Sequence, residues 1–151
     1  MTLRVTATTV LALLSVCCSM AGATDSPQAS ARTHAQNYND LVLATCIATA
    51  YRDEKQAAAD AGSSVSALRD WTYYDLEKAP DEIRDLVDQF LSRDYHNPLA
   101  EPEAPGTRFD LLKCLDLFHS DELEQQTKRL VVDPQHAVVQ ERGEPQVPDG
   151  R

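Results

Sequence analysis

The chain has 151 residues, with 14 Lys and Arg against 24 Asp and Glu, a formal net charge of −10. That length suits one domain. The acidic balance argues against nucleic acid as a partner, because phosphate contacts need a basic face. The chain lacks a Gly-rich phosphate loop, GxSxG, HExxH and CxxC, which removes support for several large enzyme classes.

Residues 1–23 have the layout of a secretory signal peptide. Arg4 supplies the positive start, 5–16 are apolar, and Ala21-Gly22-Ala23 fits the small-x-small cleavage rule, placing the cut before Thr24. The apolar run is short for a membrane span, and Cys17, Cys18 and Ser19 follow it at once. A lipoprotein site at Cys17 is the lesser alternative, since Leu14 suits it but bulky Val16 does not. Either route leads to the periplasm. Cleavage before Thr24 leaves two cysteines, Cys46 and Cys114.

Residues 24–36 are rich in Ser, Ala and Gln and are expected to form a flexible leader. The domain proper is placed at 37–132. Residues 38–51 are strongly apolar and predict a buried helix, capped near Asn37 or Asn39. Asp53 can cap a second helix over 54–61, ended by Gly62, and Ser63 or Ser64 can cap a third running past Trp71. Ala79-Pro80-Asp81-Glu82 restarts a helix, with proline in the first turn and two acids at the positive end of the dipole. Ile83, Leu86, Val87, Phe90 and Leu91 give it the clearest amphipathic period in the chain.

Residues 94–108 break the pattern with Pro98, Pro102, Pro105 and Gly106, a stiff acidic loop longer than most connectors between packed helices. Helix resumes over 109–118, with Leu111, Cys114, Leu115 and Phe118 on one stripe, and Ser120 can cap a continuation ended by Asp133-Pro134. Residues 133–151 are expected to be a disordered tail. No strand-period run of any length occurs. The fold class is therefore all-α, a small bundle of about four to six helices.

Cys46 and Cys114 each fall on an apolar helix face, so the two helices can meet and their sulfurs can bond. That bond would stabilise the domain by roughly 4 kcal/mol in the chain-entropy model. The competing use, a nucleophile with His119 or His34 as base, needs an exposed, electropositive setting that neither cysteine has. The four histidines, His34, His96, His119 and His136, lack metal-ligand spacing, so no metal and no cofactor is expected. The carboxylates 81, 82, 85, 121, 122 and 124 lie in first helical turns, where the helix dipole accounts for them. Two features remain as candidate partner surfaces: the aromatic group Trp71, Tyr73 and Tyr74, and the 94–108 loop.

Two segments, LATCIATAY at 43–51 and LKCLDLFHSDEL at 112–123, resemble the immunity proteins of type VI secretion amidase effectors, in the group paired with the fourth amidase effector family. The resemblance spans about 37–131. It implies a small helical domain that is not an enzyme, forms a homodimer in the periplasm, and occludes the substrate groove of a cognate peptidoglycan amidase, itself a Cys/His hydrolase. In that family the loop before the last helices enters the groove, and a helix of the other subunit adds contacts. Here the matching loop is 94–108, longer and richer in proline than the family pattern, and the matching helix is 64–76. The implied contact residues are His96, Asn97, Glu101 and Glu103, with Tyr73 and Tyr74 from the aromatic group. A periplasmic acid-stress chaperone is the runner-up; a carrier of a small apolar ligand and a hydrolase rank below it.

Overall fold

The computed structural model describes residues 27–95, 102 and 105–139. The expected signal peptide lies outside them. Five α-helices run in order: α1 His34–Ala50, α2 Lys55–Arg69, α3 Ala79–Leu91, α4 Asp110–Phe118 and α5 Asp121–Leu130, preceded by a short 3-10 helix, Gln28–Ala31. Among the described residues the only β pairing is an isolated antiparallel bridge, Tyr74 to Val131. The all-α class expected from the sequence is the class observed.

α1 is the central helix, touched by all four others. It buries Tyr38, Leu41, Val42 and Cys46, onto which α3 packs Ile83, Leu86, Val87 and Phe90. α5 adds Leu123 and Leu130, and Cys46 and Cys114 are joined, with Cα atoms 5.6 Å apart. The disulfide expected from the two apolar faces is thus present, and it closes 68 residues of chain.

The start of α1 differs from expectation. Its cap is Thr33, in a reciprocal capping box with Gln36, so the helix begins four residues before Tyr38. Asn37 is therefore inside the helix, fully buried, and acts as a cross-link: its amide donates to Ala29 O at 2.8 Å and to Trp71 O at 3.0 Å. His34 Nδ1 lies 3.2 Å from the same Trp71 carbonyl. The backbone N–H groups of His34 and Ala35, which a helix start leaves without intrahelical partners, donate to the carbonyls of His136 and Pro134. The expected loose leader and tail thus hold packed residues in their described parts: Ala29 and His34 on one side, Ala137 and Val138 on the other.

α2 also departs from the sequence reading. It runs unbroken through Gly62, where an added Cβ would meet nothing within 4 Å. Ser63 and Ser64 do not cap; their hydroxyls donate to the carbonyls of Ala59 and Asp60 one turn back, a mid-helix alternative to capping. The helix stops at Arg69, so Trp71, Tyr73 and Tyr74 lie in an irregular segment and not on a 64–76 helix. That segment is stitched to the end of α5 by Asp75 N to Leu130 O and Val132 N to Tyr73 O, both 2.9 Å.

α3 starts as expected, with Pro80 in the first turn and Asp81 and Glu82 at the positive end of the dipole. Just before it, Asp75 accepts the backbone N–H groups of Glu77 and Lys78 at 3.0 Å each. α5 is capped by Ser120, carries acids in its first turn and Lys128 and Arg129 in its last, and is tied to α3 by an Arg129–Glu82 ion pair.

Two outcomes follow from these contacts. A C46A/C114A chain should lose roughly 4 kcal/mol of unfolding free energy by denaturant titration, in line with a long closed loop; a loss under about 1 kcal/mol would mean the helices hold together without the bond. The Asp75 carboxyl is held below the usual carboxylate range, chiefly by the Lys78 backbone N–H it accepts and then by the Lys78 and Glu77 hydrogen bonds and the Lys78 charge. A folded-state value below the unfolded one gives stability that is present above about pH 4 and fades as the pH falls further. Asp75→Asn keeps an acceptor but not the charge. Its melting temperature should therefore fall less steeply than wild type between pH 5 and 2.

Candidate functional site

The disulfide turns the Cys114 side of α4 toward α1. With Cys114 bound to α1, Lys113 and Leu117 are carried into the interior, and Leu111, Leu112 and Leu115 are left outside at 47%, 46% and 40% exposure. The expected stripe of Leu111, Cys114, Leu115 and Phe118 is therefore wrong in phase. The buried face is rolled by about 100°, one residue's turn of an α-helix. Only Cys114 of the four is fully buried.

The outward leucines join Tyr51, Phe109 and Gly106 around an open groove of about 560 Å³. Phe109 holds the left-handed backbone conformation (φ 55°) and Gly106 has φ 75°, so the chain turns sharply as it enters α4. Glycine adopts such an angle without strain, whereas for Phe109 it is uncommon. A row of exposed leucines in a strongly acidic protein is a surface left unfilled by the fold, of the kind that meets a partner.

Beside the leucine groove lies a smaller polar recess of about 220 Å³, lined by Thr49, Arg52, Asp88, Arg108, Asp110 and Lys113. Lys113 is 5% exposed, which is rare for a lysine and requires partners. Its ammonium donates to Leu91 O and to Asp110 Oδ1, each at 3.1 Å. Asp110 also pairs with Arg108, and the Tyr95 hydroxyl donates to Asp116. These residues stand at the two ends of the 94–108 loop.

His96, Asn97, Glu101 and Glu103 lie outside the described residues. Tyr73 is 51% exposed, and its ring sits 4.8 Å from that of His34. Tyr74 faces the core at 8% exposure, edge-on to Tyr38, so Tyr73 is the one of the two with surface to offer. The Tyr38 hydroxyl is pushed well above the ordinary phenol range, mainly by burial and then by the Glu82 charge, so it stays neutral. Among the described residues no three His, Cys, Asp or Glu side chains converge to hold a metal, and no helix is long and apolar enough to cross a membrane. Both cysteines of the domain are consumed in the disulfide, so neither offers a thiolate.

Sequence reasoning missed the exposed leucine face, because it assigned Leu111 and Leu115 to the core. The signal was present in Leu111-Leu112, an apolar pair that one helix face cannot bury together with Cys114.

A family model described as a type VI secretion system (T6SS) amidase immunity protein, Tai4, matches residues 36–127. That span runs from the first turn of α1 into α5. Among solved structures the chain is similar to one from work on new type VI-secreted toxins and self-resistance proteins in Serratia marcescens. The TM-score is 0.70 at 23% identity, over 83% of this chain and 99% of that one. It is also similar to a chain of the Tae4/Tai4 effector–immunity system from Salmonella typhimurium, with TM-score 0.60 at 21% identity, over 70% of this chain and 96% of that one. At such identities the likeness is one of fold. None of the curated proteins matches.

The roll of α4 has a direct test. Leu112→Ser should change unfolding free energy by no more than about 0.5 kcal/mol, as for an ordinary surface site. Leu117→Ala should cost roughly 3 kcal/mol, as for a filled core position. Equal costs at the two positions would mean that α4 is not rolled as described.

Proposed function

The chain belongs to the family of type VI secretion amidase immunity proteins, and from that membership we propose that it neutralises a cognate peptidoglycan amidase by binding it and filling its substrate groove. The observation that carries the proposal is the family match over 36–127, which embraces the helices on either side of the 94–108 loop. The loop and the leucine face beside it form the contact surface in this reading. His96, Asn97, Glu101 and Glu103 of the loop would enter the groove, and Phe109, Leu111, Leu112 and Leu115 would cover its rim.

The physics is that of competitive occlusion. A net charge of −10 draws a basic toxin and speeds encounter at low salt. Three prolines in the loop reduce the entropy lost on docking. Apolar side chains at the rim then exclude water and slow dissociation. The chain itself performs no chemistry in this scheme: it obstructs a Cys/His hydrolase, and both cysteines among the described residues are bonded to each other. The signal-like segment 1–23 would take it to the periplasm, where peptidoglycan and the toxin meet. A homodimer, in which Tyr73 and the α2 region of one copy reach the toxin held by the other, completes the proposal. The family match gives the acid-stress chaperone alternative no comparable support.

Mixed with its cognate amidase, the purified mature chain should abolish peptidoglycan cleavage near 1:1 stoichiometry. Full amidase activity in the presence of excess chain would overturn the proposal. Deleting residues 98–105 should weaken inhibition at least tenfold while the circular dichroism of the helices is retained. Unchanged inhibition by that deletion would place the contact surface elsewhere.

A further inference from the structure

Residues 94–108 connect α3 to α4, and the helix ends that flank them meet at one buried group, the Lys113 ammonium. Leu91 is the last residue of α3, and Asp110 the first of α4. The Lys113 ammonium bonds the carbonyl of the one and the carboxylate of the other, at 3.1 Å each. A helix C-terminus carries unpaired carbonyls and partial negative charge, so it receives a cation well. Asp110 in turn holds Arg108, on the returning side of the loop. On the leaving side, the Tyr95 ring lies 5.9 Å from the Lys113 ammonium, and the Tyr95 hydroxyl reaches Asp116, three residues further along the same helix. Arg93 is stacked over the Phe90 ring, its guanidinium carbon 3.5 Å from the centroid, so the chain just beyond α3 is pinned as well.

We propose that Lys113 is a positioning residue for toxin binding: its buried ammonium ties the end of α3 to the start of α4, so that the two stems, Leu91–Tyr95 and Arg108–Asp110, leave the helices from fixed places before the toxin arrives. This rests on the occlusion reading above. Burying a lone cation is costly unless it is fully paired. Asp110 of the same helix and Leu91 O of α3 supply that pairing, so the end of α3 cannot shift away without removing one of the ammonium's two partners. The clamp therefore acts on the free chain, before any toxin arrives. Its loss should show mainly as slower productive association, because more stem conformers must be sorted at encounter.

The test compares the full mature chain with Lys113→Met, Tyr95→Phe and, as a control, Leu123→Ala, a core change in α5 away from both stems. Amide hydrogen exchange is read at Asp94, Tyr95, Arg108 and Phe109, and association with the amidase is read by stopped flow. Lys113→Met should speed exchange at these stem amides about tenfold and slow association about tenfold. Tyr95→Phe should shift both in the same direction by less. Leu123→Ala should lower the melting temperature and leave the association rate unchanged, an outcome a merely structural lysine would not distinguish. Stem exchange unchanged in folded Lys113→Met would overturn the clamp. Where Lys113→Met does not fold, unchanged exchange in Tyr95→Phe does the same. Loosened stems with unaltered association would overturn the link to toxin binding. A wild-type chain that fails to inhibit the amidase, while Lys113→Met still loosens the stems, would defeat the occlusion reading and leave the clamp standing.

Discussion

The Cys46–Cys114 bond is the constraint that holds the short helix α4 against the central helix. α4 is a nine-residue helix, too short to hold its own orientation through propensity alone. Fastened to α1 at Cys114, it must keep that residue's side toward α1. Two phases of the helix satisfy this, and the packing selects one of them. Lys113 and Leu117 go in, and three leucines go out. The covalent link thus stabilises the domain and anchors a helix that buries Lys113 beside Cys114 and Leu117 while three leucines stay exposed, an inversion at those positions.

This inversion explains where sequence reading succeeded and where it failed. α3 was legible because Ile83, Leu86, Val87 and Phe90 all lie on the side that the core fills, and Pro80 with its acids marks the start. α5 was legible from Ser120 and the acid-to-base gradient along its length. The disulfide was legible because two cysteines on apolar faces had no other use. α4 was misphased because hydrophobic periodicity assumes that leucines seek the interior. Leu117 does, but Leu111, Leu112 and Leu115 do not, and Lys113 takes an inner place, a local conflict that periodicity alone cannot foresee. α2 was split in error for a different reason. Gly62 and the serines after it are stop and start signals only when the backbone needs them, and tertiary contact with α1 overrides such weak preferences. The N-terminal boundary failed because a capping box and a long-range hydrogen bond look alike in a string of Thr, Gln and Asn; only the fold shows that Asn37 bonds Ala29 and Trp71.

The candidate site was half legible. Proline content singled out the loop, but the groups that hold its ends come from elsewhere: Lys113 from α4, Leu91 from the end of α3, Tyr95 from the segment between. No spacing rule brings them together, because their contact depends on how α3 and α4 sit against each other. In the proposed occlusion the loop would meet the target, while Lys113 holds the end of α3 to the start of α4.

The hydrogen bonds from the first turn of α1 to the carbonyls of Pro134 and His136 join the two ends of the described domain. Cutting the backbone near residue 134 would therefore strip two acceptors from the first turn of α1, so damage to a late segment would be felt at the start of the central helix.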